Sequence, residues 1–205
     1  MRRVTFAMCT IALLVSVSTA RAQEVGSAAS TIDFGVAGGI TFPQGDLGDF
    51  TKTGWHIAGL VGWTPPAMPV AFRFDLMYHG LPGKEINIGK GSVEGPDFRV
   101  FAGTANVELD LSKLTGSAMS NLRQAEEPGT AAVYLTGGVG VYNGKVEEGD
   151  SETDFGINIG GGVNFNLAGM RAFAEGKFHN VFSDGESARI IPLSFGVRFG
   201  GPSQP

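Results

Sequence analysis

From residue 32 to residue 199 the chain repeats one pattern eight times: about ten residues in which large apolar side chains alternate with small or polar ones, and then a turn. Successive side chains of a β-strand point to opposite faces, so each segment has one apolar face and one small or polar face. The predicted strands are residues 32–42, 54–64, 70–80, 97–111, 131–142, 154–165, 171–182 and 190–199. This series predicts one all-β domain, an eight-stranded antiparallel up-and-down barrel.

The composition of the two faces indicates which of them points outward. One face carries mainly Phe, Val, Leu and Ile, and the other mainly Gly, Ala, Ser, Thr and Asn. A water-facing wall, as in a soluble lipocalin-type barrel, should carry many Lys and Glu residues, but Lys177 is the only lysine that we place inside a strand. Small residues suit a narrow interior, so the apolar face is predicted to contact lipid.

Three aromatic residues are predicted to mark the membrane surfaces. Trp55 and Trp63 lie eight residues apart on the apolar face of the second predicted strand. Along a strand tilted by about 40° this spacing covers roughly 20 Å of height. We therefore assign both residues, together with Tyr78 of the third predicted strand, to the aromatic girdles of a membrane barrel. Two unrelated surface tryptophans are the alternative.

Residues 1–22 have the features of a secretory signal peptide. Two arginines are followed by an apolar stretch at residues 6–17, which is too short to span a bilayer as a helix. Residues 20–22, Ala-Arg-Ala, form a small-x-small cleavage site. We therefore expect a signal peptide at 1–22 and an outer-membrane β-barrel domain at 23–205.

Charge and cysteine content exclude several classes of function. Removal of the signal peptide lowers Lys+Arg from 15 to 12 while Asp+Glu stays at 20, so the net charge moves from -5 to -8. Such an acidic chain argues against a nucleic-acid partner. The single cysteine, Cys9, lies in the signal peptide, which excludes disulfides, thiolate metal sites and cysteine nucleophiles from the mature chain.

The inward face is predicted to hold a small polar network. Charges inside a narrow barrel must be paired and hydrogen-bonded, and eight strands leave little room beyond the side chains. The structural interpretation is a salt-bridged plug, and the alternative is an ion pathway gated by rearrangement of those pairs. The predicted lumen charges are Asp33, Arg73, Asp75, Glu108, Asp110, Glu175, Lys177 and Arg198.

The connections are predicted to alternate between the two ends of the barrel. The outward loops are residues 43–53, 81–96, 143–153 and 181–189, and the inward turns are residues 65–69, 112–130 and 166–170. The 112–130 connection is long for a turn, so either it contains a short helix or the fourth predicted strand ends earlier. The acidic segment 145–154 is predicted to be a solvated loop, with a surface for a divalent cation or a host ligand as the alternative.

The whole mature chain resembles the small outer-membrane β-barrel proteins of the OmpA-transmembrane-domain and OmpX type. The resemblance is carried by the stretches GGITFPQGDLGDFTKTGWHIAGLVGW, YLTGGVGVYNGK, FAEGKFHNVF and IPLSFGVRF. It implies a bacterial outer membrane location in a Gram-negative cell. It also implies Phe199 as the signal read by the barrel-insertion machinery, although residues 200–205 follow where the family usually ends. No peptidoglycan-binding domain is expected after the barrel.

The resemblance also implies a range of roles. A monomer that contacts outer-membrane lipid and lipopolysaccharide and presents four loops would have a structural or surface-interaction role, with a host or surface ligand bound by the loops. A small gated pore and a lipid-A-modifying hydrolase are the alternatives.

The candidate chemistry of the histidines is weak. His56, His79 and His179 fall on inward positions near or beyond predicted strand ends, so neither a metal site nor a cofactor is expected. Some eight-stranded outer-membrane barrels deacylate lipid A with a serine two residues after a histidine.

Here Asn180 and Val181 follow His179, and Ser183 and Glu186 have the wrong spacing. We therefore predict no catalytic residue.

Overall fold

A computed structural model gives the fold of the chain. It describes residues 31–66, 68, 70–88, 91–111, 131–147, 149, 151–167, 170–183 and 187–200. The predicted signal peptide, residues 112–130 and residues 201–205 lie outside this part of the chain.

The described part is built almost entirely of strands. In chain order the elements are β1 (Thr31–Gln44), α1 (Asp46–Phe50), β2 (Gly54–Thr64), β3 (Val70–Leu81), β4 (Glu85–Ile88), β5 (Gly91–Glu94), β6 (Phe98–Asp110), β7 (Ala131–Val146), β8 (Ser151–Leu167), β9 (Met170–Phe182) and β10 (Ser187–Phe199). Eight of the strands form a closed barrel in the order β1-β10-β9-β8-β7-β6-β3-β2, with every neighbouring pair antiparallel. The predicted all-β, up-and-down, eight-stranded barrel is confirmed.

The strands are staggered around the barrel. From Gly39 of β1, register partners through β2, β3 and β6 lead to Gly144 of β7. In the other direction, through β10, β9 and β8, the partners lead to Tyr134 of the same strand. The two residues reached on β7, Gly144 and Tyr134, are ten positions apart. This difference is the shear of the barrel, and over eight strands it tilts each strand by about 40° from the barrel axis. Register partners on neighbouring strands therefore do not lie at the same height along the barrel axis.

The barrel has two distinct ends. At the termini end lie Thr31, Phe199 and the short connections after β2 and β8. At the loop end lie the one-turn helix α1 and the separate β4–β5 hairpin, which is inserted between β3 and β6. Neither element was predicted, because both lie in segments that lack the barrel's long apolar alternation.

Several predicted strand ends are wrong at the loop end. Strand β7 continues to Val146 and β8 begins at Ser151, so much of the acidic segment 145–154 is hydrogen-bonded hairpin. Its alternation continues in polar residues, which a hydrophobic pattern cannot detect. At the termini end β6 stops at Asp110, one residue before the predicted end.

Candidate functional site: the barrel lumen and its loop-end mouth

The termini half of the lumen is filled by a network of charged side chains. Even-numbered residues of β6 and β10 and odd-numbered residues of β3 and β9 point inward, because side chains alternate across the strand. Six charged residues meet there, each 6% exposed or less: Arg73, Asp75, Glu108, Glu175, Lys177 and Arg198. Three are cations and three are anions, so the network is neutral.

Arg73 is the centre of this network. Its Nη1 donates to Glu108 Oε2 at 3.0 Å, and its Nη1 and Nη2 lie 2.8 Å from the two Glu175 carboxylate oxygens. Its Nε also lies 2.9 Å from Asp75 Oδ1. One guanidinium therefore joins three carboxylates through the five-donor geometry that arginine alone provides.

Three of the ion pairs cross the full width of the barrel. Strands β3 and β9 are four positions apart in the ring of eight, and Arg73–Glu175 and Lys177–Asp75 connect them, the second at 2.6 Å. Arg198 on β10 reaches Glu108 on the opposite strand β6 with two hydrogen bonds of 2.7 and 3.2 Å. These contacts hold opposite walls of the barrel together in the termini half of the lumen.

Neutral side chains complete the network. Tyr134 donates to Glu175 Oε2 at 2.9 Å, and Asn106 Nδ2 donates to Asp75 Oδ2 at 3.1 Å. The Arg198 guanidinium lies 5.1 Å from the centre of the Phe173 ring, a cation–π distance. The sequence analysis did not single out Tyr134, Asn106 or Phe173, because the face on which a side chain lies does not specify its partner.

The remaining predicted lumen residues lie near the termini end. Asp33 is buried, and its carboxylate lies 3.7 Å from Arg171, which the sequence analysis did not single out. Asp110, the last residue of β6, is only half-buried.

A layer of histidines lies above the charged network, toward the loop end. His56 and His79 are register partners on β2 and β3, and the stagger brings His179 of β9 to a similar height. All three are almost completely buried. They lie two or three residues from the loop-end limits of β2, β3 and β9, which agrees with the expectation that they are near strand ends. Among the described residues no group of three or more His, Cys, Asp or Glu side chains could hold a metal ion.

Hydroxyl groups connect the histidines to neighbouring strands. Thr41 Oγ1 lies 3.0 Å from His56 Nδ1 and 2.9 Å from His79 Nδ1. The hydroxyl has one proton, so it can donate to only one ring and must accept from the other. His56 Nε2 contacts Ser194 Oγ at 2.9 Å, and His179 Nδ1 contacts the Tyr142 hydroxyl at 2.8 Å.

The contacts of the histidines and of the nearby serines do not form the arrangement that the hydrolase alternative requires. His179 is paired with a tyrosine, while Ser183 donates to Asp154 Oδ2 at 2.5 Å, and Glu186 lies outside the described residues. The serine–histidine contact that does occur, Ser194 with His56, has Thr41 in the place of an orienting carboxylate and lies inside the lumen. A lipid substrate outside the wall does not reach it.

The loop third of the lumen is apolar. Met77, Val100, Ala102, Tyr142 and Val181 form one buried cluster, with Phe98 and Ala188 packed against it. Above this cluster, at the mouth, lies a cavity of about 130 Å³. Its wall includes Asp154 and Glu152 of β8.

The outer surface of the barrel is a continuous apolar belt. Large side chains on every barrel strand are exposed there, including Phe34, Ile57, Phe74 and Phe155. So much exposed apolar surface is not stable in water but is what lipid contact requires. No helix in the described part of the chain is long and apolar enough to cross a membrane.

Aromatic residues on this belt lie at two levels. Trp55 packs against Tyr78 with ring centres 5.7 Å apart, and Trp63 stacks on Phe72 at 5.4 Å. Allowing for the stagger, the first pair lies near the loop end and the second near the termini end. The eight-residue spacing of Trp55 and Trp63 corresponds to about 20 Å along the axis, which matches the spacing of two girdles around an apolar band.

Comparison with known proteins shows the fold. No protein-family model matches the sequence, and no curated protein matches it. The crystal structure of Neisserial surface protein A is similar, with a TM-score of 0.56 and 15% identity over 83% of this chain and 98% of that chain. The Yersinia pestis outer membrane protein Ail has a TM-score of 0.46 and 14% identity over 82% and 99%.

The N-terminal barrel domain of Pseudomonas aeruginosa OprF has a TM-score of 0.43 and 13% identity over 82% of this chain and 97% of that chain. The Neisserial structure, with its TM-score of 0.56, shows the fold of this chain. Together with the apolar belt, it places this chain in the class of small eight-stranded transmembrane β-barrels found in the bacterial outer membrane. The predicted resemblance and location are confirmed at the level of this fold.

Proposed function

We propose that the chain is a closed outer-membrane anchor with a structural or surface-interaction role. The observation that carries this proposal is the neutral ion-pair network that crosses the lumen from wall to wall. A rigid barrel of this kind holds the loop end, with α1 and the β4–β5 hairpin, at the cell surface. Binding of a host or surface ligand would then take place on those elements.

Charge balance supports a lumen that stays closed. Three carboxylates and three cations pair with one another in a space almost without solvent exposure. Removing one partner from such a network leaves an uncompensated buried charge, which is strongly unfavourable. An ion that entered would have to displace existing pairs, so continuous conduction is not expected.

Planar-bilayer recording of the refolded barrel tests this closure. We expect no stepwise conductance from the wild-type protein. As a positive control, Arg198→Ala removes the bidentate pair with Glu108 and should produce brief openings. Stable conductance steps from the wild-type protein would contradict the closed anchor and support the gated pore.

Basic residues on the outer face support a contact with lipopolysaccharide. Arg99 of β6 and Lys145 of β7 are register partners on the outward face, and Arg99 lies two residues above Phe101 at the loop-end aromatic level. Cations at this height suit the phosphates of a lipid headgroup, although Glu147 lies 3.5 Å from Arg99 and offsets part of the charge.

Native mass spectrometry can test this contact. The double variant Arg99→Gln/Lys145→Gln should retain fewer lipopolysaccharide molecules than wild type. Dephosphorylated lipopolysaccharide should be retained equally by both proteins. Equal retention of the phosphorylated form would argue against the contact.

Insertion and oligomeric state complete the proposal. Phe199 is the last residue of β10, is register partner to Phe34 and remains about half exposed, so its ring is available to the insertion machinery. A closed barrel leaves no strand edge to pair with another copy, which favours a monomer.

A further inference from the structure

The cavity at the loop-end mouth is built by the ends of five barrel strands. Its wall comes from β6, β7, β8, β9 and β10, and Leu47 of α1 contributes from the side. Besides Leu47, the lining residues continue the inward-facing alternation of the lumen beyond the apolar cluster, with Ser183 directly after the end of β9: Phe98, Val100, Tyr142, Gly144, Val146, Glu152, Asp154, Val181, Ser183, Ala188 and Ile190. The cavity is therefore a fixed part of the barrel wall.

The floor of the cavity is apolar and closed. Val100, Tyr142 and Val181 belong to the buried cluster beneath it, and Ile190 is also almost fully buried. The Tyr142 hydroxyl contacts His179 below, which fixes the aromatic ring at the floor. A cavity of about 130 Å³ is close to the size that holds one benzene ring.

The charge on the wall has one sign. Among the described lining residues only Glu152 and Asp154 are charged, and both are carboxylates. Asp154 is half-buried and accepts a hydrogen bond from Ser183, while Asn143 Nδ2 donates to the Glu152 backbone oxygen at 3.3 Å and to Thr153 Oγ1 at 2.8 Å. The nearby cations Arg99 and Lys145 are on the opposite, outward face of their strands.

We infer that this mouth cavity binds a small amphipathic cation: one aromatic or aliphatic ring that carries an ammonium group on a short chain. The ring occupies the apolar floor, and the ammonium group meets Asp154, with Glu152 at the rim. Because the lumen below is filled by the apolar cluster, the histidines and the ion pairs, the cation is bound at the mouth and does not pass through the barrel. The inference goes beyond the anchor role and does not depend on it.

Methyl-detected NMR of the refolded barrel in nanodiscs tests the inference with three matched probes. These are 2-phenylethylamine, the neutral 2-phenylethanol and the anion 3-phenylpropionate. We expect the amine to shift the methyl signals of Leu47, Val100, Val181 and Ile190. Its affinity should exceed that of the alcohol by about tenfold, since a hydrogen bond to a charged group contributes about 1.5 kcal/mol or more. The anion should bind more weakly than either.

Variants separate the cation site from partition into lipid. Asp154→Asn keeps the shape of the wall and should lower the affinity for the amine about tenfold, with no change for the alcohol. Glu147→Gln removes a carboxylate that does not line the cavity and should have no effect. Ala188→Trp should abolish binding of all three probes, and Val146→Trp serves the same purpose if the first variant does not fold.

Two outcomes would overturn the inference. Equal binding of amine and alcohol, unchanged in Asp154→Asn, would remove the cation preference. Shifts of the same size at the lipid-facing Val139 and Ile157 would show partition into the bilayer only. Neither outcome affects the conductance test of the anchor role.

Discussion

In the termini half of the lumen, side chains from opposite walls meet, whereas in the loop half the polar contacts join strands at most two positions apart. Arg73–Glu175 and Arg198–Glu108 each span four positions in the ring of eight. By contrast, His56–Ser194 and Tyr142–His179 each bridge a single intervening strand. The remaining space in the loop half is filled by apolar side chains.

The two halves of the lumen therefore have different structural roles. Ionic contacts across the diameter hold opposite walls together and exclude water and ions. Apolar packing in the loop half seals the lumen without using charge, so its upper surface can form the floor of a cavity. The expected consequence is that variants in the termini half affect the stability of the whole barrel, while variants near the mouth affect it less.

Removal of the central arginine should have the largest effect. Arg73→Ala leaves three carboxylates with only two nearby cations, and we expect a loss of about 3–5 kcal/mol in the free energy of unfolding. Urea unfolding in micelles, followed by tryptophan fluorescence, measures this loss. The matched control is Arg99→Ala, whose exposed pair with Glu147 should contribute less than about 1 kcal/mol. Equal effects of the two variants would mean that the lumen network adds no special stability.

The next largest loss of stability is expected where the charged half of the lumen leaves no room for a larger side chain. Gly160 of β8 is register partner to Lys177, and a Cβ at this position would lie 2.2 Å from the Gly176 carbonyl oxygen and 2.6 Å from Lys177 Cγ. Gly160→Ala should therefore cost about 3 kcal/mol through overpacking.

The control is Gly59→Ala on the lipid-facing surface, where a Cβ meets nothing within 4 Å. It should be neutral or slightly stabilising, because alanine restricts the unfolded chain. The heat-dependent mobility shift on gels reports whether each variant closes. A Gly160→Ala barrel as stable as wild type would show that the β9 backbone at Gly176 and Lys177 can shift to make room for the added methyl group.

A smaller effect is expected in the histidine layer. Thr41→Val keeps the shape of the side chain but removes the hydroxyl that both His56 and His79 contact, and it should cost about 2 kcal/mol because buried ring nitrogens lose their partner. The exposed Thr153→Val is the matched control, with a change within about 0.5 kcal/mol. If Thr41→Val destabilised the barrel as much as Arg73→Ala, the two halves of the lumen would not differ in the way described above.

The sequence alone determined the faces of the strands and the class of fold. Alternation with a period of two is a local property, since each residue's face follows from its position in the strand. For this reason the sequence alone assigns Arg73, Glu175 and Lys177 to the interior, and Trp55 and Trp63 to the exterior. The predicted strands end too early at the loop end, where β7 and β8 continue in polar residues.

Only the tertiary structure decided which inward residues meet. Arg73 and Glu175 are 102 residues apart in the chain, and His56 and Ser194 are 138 apart. Whether such residues come to one height depends on the order of strands and on the ten-residue shear of the closed barrel. No single strand encodes these quantities, because they arise from all eight pairings together. The mouth cavity has the same origin, since its floor and its carboxylate wall belong to different strands that only barrel closure brings together.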